Sequence, residues 1–205
     1  MLSGTLVPHA DAGFLILPFA ALVACTSSSA SDGGDAITGT IRGILYPVAA
    51  SISATLSSSR GSRAVIVLSS ASDTCTPADA QIAHPGETTL IVMAFDVTGT
   101  TTTAAPSAPG TYPVVDFTSQ VPPGPRLAFA YTSRLDASCG NPADAQTGSV
   151  SGSLVLTDVH DGVYAGTFDI VLDSADRITG EFHPTACSTL PAIFSGSNPA
   201  PSCVP

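Results

Sequence analysis

The sequence predicts an all-β domain: an antiparallel β-sandwich or barrel of about eight to nine strands, ending in a three-stranded meander. Three observations predict it. Apolar residues recur with period two or in short continuous runs, and no long stretch keeps a 3.6-residue period. Clusters of Gly, Pro, Ser and Thr punctuate these runs, notably after Val97 and before Arg126. With 44% hydrophobic residues the chain also has the apolar material to bury a core, which argues against wholesale disorder.

The first element lies outside that domain. Gly13–Ala24 is an apolar run too short for a bilayer core, which needs about 20 residues, but of the length of a signal-peptide core, about 7–15. Pro18 within it would weaken a permanent membrane helix. Leu22-Val23-Ala24-Cys25 follows, apolar at −3 and small at −1, and resembles a bacterial lipobox. The resemblance implies diacylglycerol on the Cys25 thiol, cleavage after Ala24 and a further acyl chain on the new N-terminus. More than one chain is what stable anchoring requires. One feature departs from the pattern: residues 1–12 carry no Lys or Arg and include Asp11. Thr26, where Asp would favour retention at the inner membrane, points to the outer membrane. The expected organisation is therefore a signal peptide over 1–24, a Ser/Gly/Asp-rich flexible tether over 25–36, and a single domain over 37–205.

Within the domain the expected strands are Ile37–Leu45, Ser51–Leu56, Ala64–Ser69, Thr88–Val97, Tyr112–Phe117, Arg126–Asp136, Ser149–Val159, Val163–Asp173 and Arg177–His183. Ala64–Leu68 and Leu90–Phe95 are apolar on both faces and should lie centrally, covered on both sides. In the last three strands Leu154, Leu156, Tyr164, Phe168, Ile170, Leu172, Ile178 and Phe182 all occupy even positions. If they share one buried face, facing residues must have an even sum. Two-residue turns are then excluded and three-residue loops expected, His160-Asp161-Gly162 and Ser174-Ala175-Asp176. In that register Asp169 faces Glu181, and Thr167 faces His183, on the polar side of the meander.

Removing Cys25 leaves Cys75, Cys139, Cys187 and Cys203, an even number that in an exported chain reads as two disulfides. Three connectivities are open. Pairing Cys187 with Cys203 would close a loop of about 15 residues, worth about 3 kcal/mol, and would pin the Pro-rich tail; Cys75 and Cys139 would then pair. Each of those two precedes the same pentapeptide, Pro77–Gln81 and Pro142–Gln146 (PADAQ), whose Pro suits the first turn of a short helix.

Charge excludes some functions. The chain has 6 basic residues, all Arg, against 16 acidic ones, a formal charge of −10, so no basic patch exists to neutralise a nucleic-acid backbone. No Cys/His spacing suggests zinc, no nucleophile motif appears, and no cofactor is implied. Three small groups carry chemistry. Asp169, Glu181 and His183 could bind a divalent cation or move a proton, although the same residues suit a solvated sheet face. Ser59-Arg60-Gly61-Ser62-Arg63 offers two guanidinium groups to an anion, or simply forms a solvated turn. His84-Pro85-Gly86-Glu87 reads as a turn between strands.

Three stretches, Thr38–Pro47, Pro109–Val114 and Gly152–Cys187 with its Gly166-Thr-Phe-Asp-Ile and Arg177-Ile-Thr-Gly-Glu-Phe182 segments, resemble an uncharacterised bacterial lipoprotein family of the myxobacterial type. The resemblance implies an all-β exported domain anchored by lipid and transfers no catalytic residues. The tail ending at Cys203 departs from it. The function expected is a non-catalytic structural or binding role at the cell envelope, with the membrane as partner through the anchor. The alternatives are a carrier for a small hydrophobic ligand, with a barrel cavity walled by Leu90–Phe95 and Leu127–Tyr131, and a metal-dependent hydrolase at Asp169, Glu181 and His183.

Overall fold

A computed structural model describes residues 34–76, 81–116, 124–195 and 202–204. The signal-peptide segment, Cys25 and most of the tether lie outside the described residues, as do the Pro77–Ala80 part of the first PADAQ copy and Phe117. The domain is all-β, as predicted. Its strands are β1 (Ala36–Thr38), β2 (Thr40–Ile41), β3 (Ile44–Leu45), β4 (Ala50–Ser58), β5 (Gly61–Ser69), β6 (Ile82–Ala83), β7 (Thr88–Val97), β8 (Thr103–Ala104), β9 (Gly110–Val115), β10 (Arg126–Arg134), β11 (Thr147–His160), β12 (Val163–Leu172), β13 (Arg177–Phe182), β14 (Thr185–Ala186) and β15 (Ser202–Cys203). One short helix, α1, spans Leu190–Phe194, and a 3-10 turn at Ala143–Ala145 follows Pro142, as the second PADAQ copy predicted.

Eleven strands form one sheet in the order β1-β13-β12-β11-β9-β10-β7-β8-β5-β4-β14. The expectation of a purely antiparallel sheet needs correction. The long pairs are antiparallel, but β9 runs parallel to β10, β8 to β5 and β14 to β4. The last of these arises because the chain leaves β13 and crosses to the other end of the sheet, where Thr185 pairs with Ile52. The sheet curls so that residues from both halves enter one core: Ile66, Leu90 and Val92 share a cluster with Phe168, Ile178 and Phe182. All eight even-numbered apolar residues of the meander are at most 4% exposed.

Ala64–Leu68 and most of Leu90–Phe95 are buried on both faces, as predicted, because β5 and β7 are flanked by β4 and β10 and have apolar cover on each side. Even-numbered residues point into the main core. Val65, Val67 and Met93 point the other way and join Ile52, Ala54, Leu56, Cys187 and Leu190 under α1.

Three local expectations are overturned. Ile37–Leu45 is not one strand: Gly39 has φ +109°, and Arg42 and Gly43 form a two-residue turn with φ 52° and 77°, pairing Ile41 with Ile44. The first meander loop is also a two-residue turn, Asp161-Gly162, with both φ positive and His160 facing Val163. Parity survives because a β-bulge between Leu156 and Asp158 inserts one residue and returns Leu156 to an even-sum partner, Gly166. The second loop does have three residues but is displaced by one, Asp173-Ser174-Ala175, with Ala175 left-handed and Leu172 N–H donating to Asp176 O at 2.9 Å.

The disulfides also differ from the pairing favoured by loop length. Cys75 bonds Cys187, and Cys139 bonds Cys203. Tertiary placement decides this. β14 carries Cys187 onto β4, where its N–H donates to Ser53 O at 2.8 Å, while β15 pairs with β6 and brings Cys203 beside Ala83, whose carbonyl accepts from Val204 N–H at 3.0 Å. The two PADAQ copies share a further contact. Gln81 Nε2 donates to Thr76 O at 2.9 Å and Gln146 Nε2 to Asn141 O at 3.3 Å, each reaching back to the residue before its Pro.

Candidate functional site

The meander does not bring Asp169, Glu181 and His183 into one site. The displaced loop lowers the register sum by two, so Thr167 faces Glu181 and Asp169 faces Thr179. Asp169 instead receives Arg177, Nε at 2.8 Å and Nη2 at 2.5 Å. Those hydrogen bonds hold its carboxyl below the usual carboxylate range. Glu181 pairs with His183 at 3.3 Å, with the side chains 60% and 47% exposed. Among the described residues no three His, Cys, Asp or Glu are grouped to hold a metal ion. Cys25, the expected lipid-bearing residue, lies outside the described residues.

The strands expected to wall a cavity do line hollows, but with their outward side chains. Leu90, Val92, Ala94, Ala128 and Ala130 are fully buried in the core. On the opposite face β5, β7 and β10 are in register: Val65 faces Met93, Met93 faces Phe129, and Phe95 faces Leu127. Two solvent-open hollows sit on this face and share Arg63 and Phe129. One, of about 490 Å³, also takes in Met93, Tyr131, Asp116 and Asp173. The other, of about 850 Å³, is bounded by Arg60, Phe95 and the loop Gly99–Thr103. Phe95 and Phe129 meet edge to face with centroids 6.1 Å apart. Burial raises the Tyr131 hydroxyl pKa, with the nearby Arg63 charge opposing it.

The Ser59–Arg63 motif forms the hairpin between β4 and β5. Gly61 has φ +116°, and a Cβ there would lie 1.9 Å from Thr103 O, so only glycine fits. Thr103 N–H donates to Arg60 O at 3.1 Å and Ala105 N–H to Ser62 Oγ at 2.9 Å. These bonds brace the backbone that carries both arginines.

Two further clusters were not evident from sequence. His84 Nε2 lies 3.1 Å from Asp73 Oδ2, while Glu87 Oε1 accepts from the buried Ser69 hydroxyl at 2.9 Å, next to a surface hollow of about 440 Å³. Asp73 had no distinguishing local context, and its approach to His84 depends on the connection from β5 to β7. At the other end of β7, Arg126 sits 5.4 Å above the Tyr112 ring and 3.5 Å from Asp96. The Tyr112 hydroxyl is buried without a hydrogen-bond partner among the described residues. Burial first, and the Asp96 charge second, push its pKa up to about 12. The folded state therefore holds this proton more tightly than the unfolded chain, whose tyrosines titrate near pH 10. Stability from Tyr112 is complete below pH ~10 and is lost as pH rises toward ~12. In a spectrophotometric titration a tyrosine step should appear well above pH ~10, and Tyr112→Phe should remove that late step. An unchanged late step in the variant would refute the assignment.

No family model, curated protein or solved structure matches this chain.

Proposed function

We propose that this protein is a non-catalytic binding domain of the bacterial cell envelope, tethered by lipid on Cys25 and presenting the outer face of β5, β7 and β10. The observation that carries the reading is the cysteine arithmetic. The four cysteines beyond residue 25 pair off in two disulfides, so of five in the chain only Cys25 is left, at the end of Leu22-Val23-Ala24. Two structural disulfides suit an oxidising compartment, and a thiol outside them is what lipid attachment needs. The separation of Asp169 from Glu181 and His183 favours binding over hydrolysis. The outward hollows beside Met93, Phe95, Phe129 and Tyr131 favour a small ligand with an apolar part, on the outside of the sheet. In this reading the curled sheet is a closed roll: β14 pairs with β4, and Tyr164 N–H donates to Ser53 Oγ at 3.3 Å.

Detergent partitioning and intact mass test the anchor. The native protein should enter the detergent phase with a mass matching acylated residues 25–205, and Cys25→Ser should leave it aqueous. Recovery of residues 1–205 without lipid, or identical partitioning of the two proteins, would overturn the reading.

A further inference from the structure

The cations of this chain are distributed unevenly. With 16 carboxylates to 6 arginines, every guanidinium could have an acid partner. Arg177 is held by Asp169 and Arg126 lies against Asp96, while Arg42 donates to Gln146 O at 3.2 Å and, through its backbone N–H, to Asp176 Oδ2 at 2.8 Å. Arg60, Arg63 and Arg134 have none: among the described residues no ion pair joins any of the three to a carboxylate, and of these Arg60 and Arg63, three positions apart, share one hairpin. Asp173, which shares the smaller hollow with Arg63, accepts from Thr147 Oγ1 and from Gly148 N–H. Both arginines border the larger hollow, together with Phe95, Phe129 and the threonines of the 99–103 loop.

We infer that this hollow is a binding site for a small anion carried on a flat apolar body, of the aromatic carboxylate class. Guanidinium forks pair with carboxylate in bidentate geometry, and such charge-assisted bonds exceed neutral ones in strength. The edge-to-face Phe95–Phe129 pair supplies a wall for a planar body, and Thr100–Thr103 supply hydroxyls along the rim. A volume of about 850 Å³ lies within the usual range for small-ligand sites, about 300–1,000 Å³. The braced hairpin keeps the arginine backbones in place before the ligand arrives, which lowers the ordering cost of binding. The formal charge of −10 opposes an approaching anion, but at physiological salt this repulsion is screened beyond about 8 Å, so contacts within the hollow decide affinity.

This inference gives the proposed binding role its ligand class and rests on that role, but not on the anchor. It is tested by calorimetric titration of the purified full mature chain with 2-naphthoate, with neutral 2-naphthylmethanol and with inorganic phosphate, at about 0.15 M salt. The naphthoate should bind about tenfold or more tightly than either comparison probe, a difference that one charge-assisted contact supplies. Arg60→Ala/Arg63→Ala should weaken it about tenfold or more, whereas Arg177→Ala, which removes one positive charge where the double variant removes two, should alter it by less than about twofold. Unaltered circular dichroism and thermal midpoint in the double variant would show that the loss is local. Equal binding of the neutral probe or of phosphate, an unaffected double variant, an equal loss in Arg177→Ala, or no binding of naphthoate would each overturn the inference. Detergent partitioning of the native chain reads the anchor separately, so failure of the ligand class and failure of the tether are distinguishable.

Discussion

Removing the Cys75–Cys187 bridge, as Cys75→Ser/Cys187→Ala, is expected to lower unfolding free energy by about 5 kcal/mol. The cross-linked residues are 112 apart in sequence, and a loop of about 100 residues restricts the unfolded chain by about 4.7 kcal/mol in the chain-entropy model. The native state adds to the effect. Cys187 is 1% exposed, abuts Ser53 on β4 and immediately precedes the residues that bring Leu190 onto Ile52 and Val65, so loosening it uncovers part of the second core. Alanine at 187 avoids placing a hydroxyl in an apolar site. The Cys139–Cys203 bridge, with a separation of 64, should matter less. Its loss also frees a tail attached through the short β15–β6 pairing, and that native-state gain in entropy offsets part of the change. Guanidinium denaturation under non-reducing conditions measures both. A loss below about 1 kcal/mol for the first bridge would mean that the other contacts already fix α1 and β14.

The pairing was illegible for a physical reason. Loop length alone favoured Cys187 with Cys203, yet each is carried to its partner by a two-residue parallel pairing, β14 on β4 and β15 on β6, too short to leave a periodic signal. The meander was legible because burial imposes a period of two over three long strands. Its register was only half legible. Asp161-Gly162 is a strong two-residue turn signal, and the parity argument overrode it because a bulge near Thr157 could absorb the odd residue unseen. At the next loop the left-handed residue is Ala175, a type with no local preference for positive φ, so Gly or Asp seemed the better candidates. That one-residue error moved Asp169 away from Glu181 and undid the acidic pair that the expected register had placed face to face. The outer hollow divides in the same way. Arg60 and Arg63 stand together in the chain, but Phe95 and Phe129 meet only through the pairing of β7 with β10.

Phe182→Ala is expected to cost about 3–5 kcal/mol, the range for truncating a fully buried phenylalanine. Phe182 is 0% exposed and stacks on Phe168, with centroids 6.2 Å apart and planes at 29°. The register explains why two large rings fit side by side. Phe182 faces Gly166 and Phe168 faces Gly180, so each ring lies opposite a residue without a side chain. A Cβ on Gly180 would come within 2.4 Å of the Phe168 ring, and one on Gly166 within 2.0 Å of Val155 O. The space is therefore shaped for two aromatics, and neighbouring backbone held by β1 and β11 cannot collapse into the void that alanine leaves. Phe182→Leu keeps most of the volume and should cost about half as much. Chemical denaturation of both variants provides the measurement, with an unchanged denaturant slope indicating that unfolding remains cooperative. Because the same core joins Phe182 to Ile66 and Leu90, the loss should be felt across the whole sheet, and hydrogen exchange should accelerate in β5 and β7 as well as in β13. Acceleration confined to β12 and β13 would show that the meander opens by itself and that the curled sheet is not one cooperative unit.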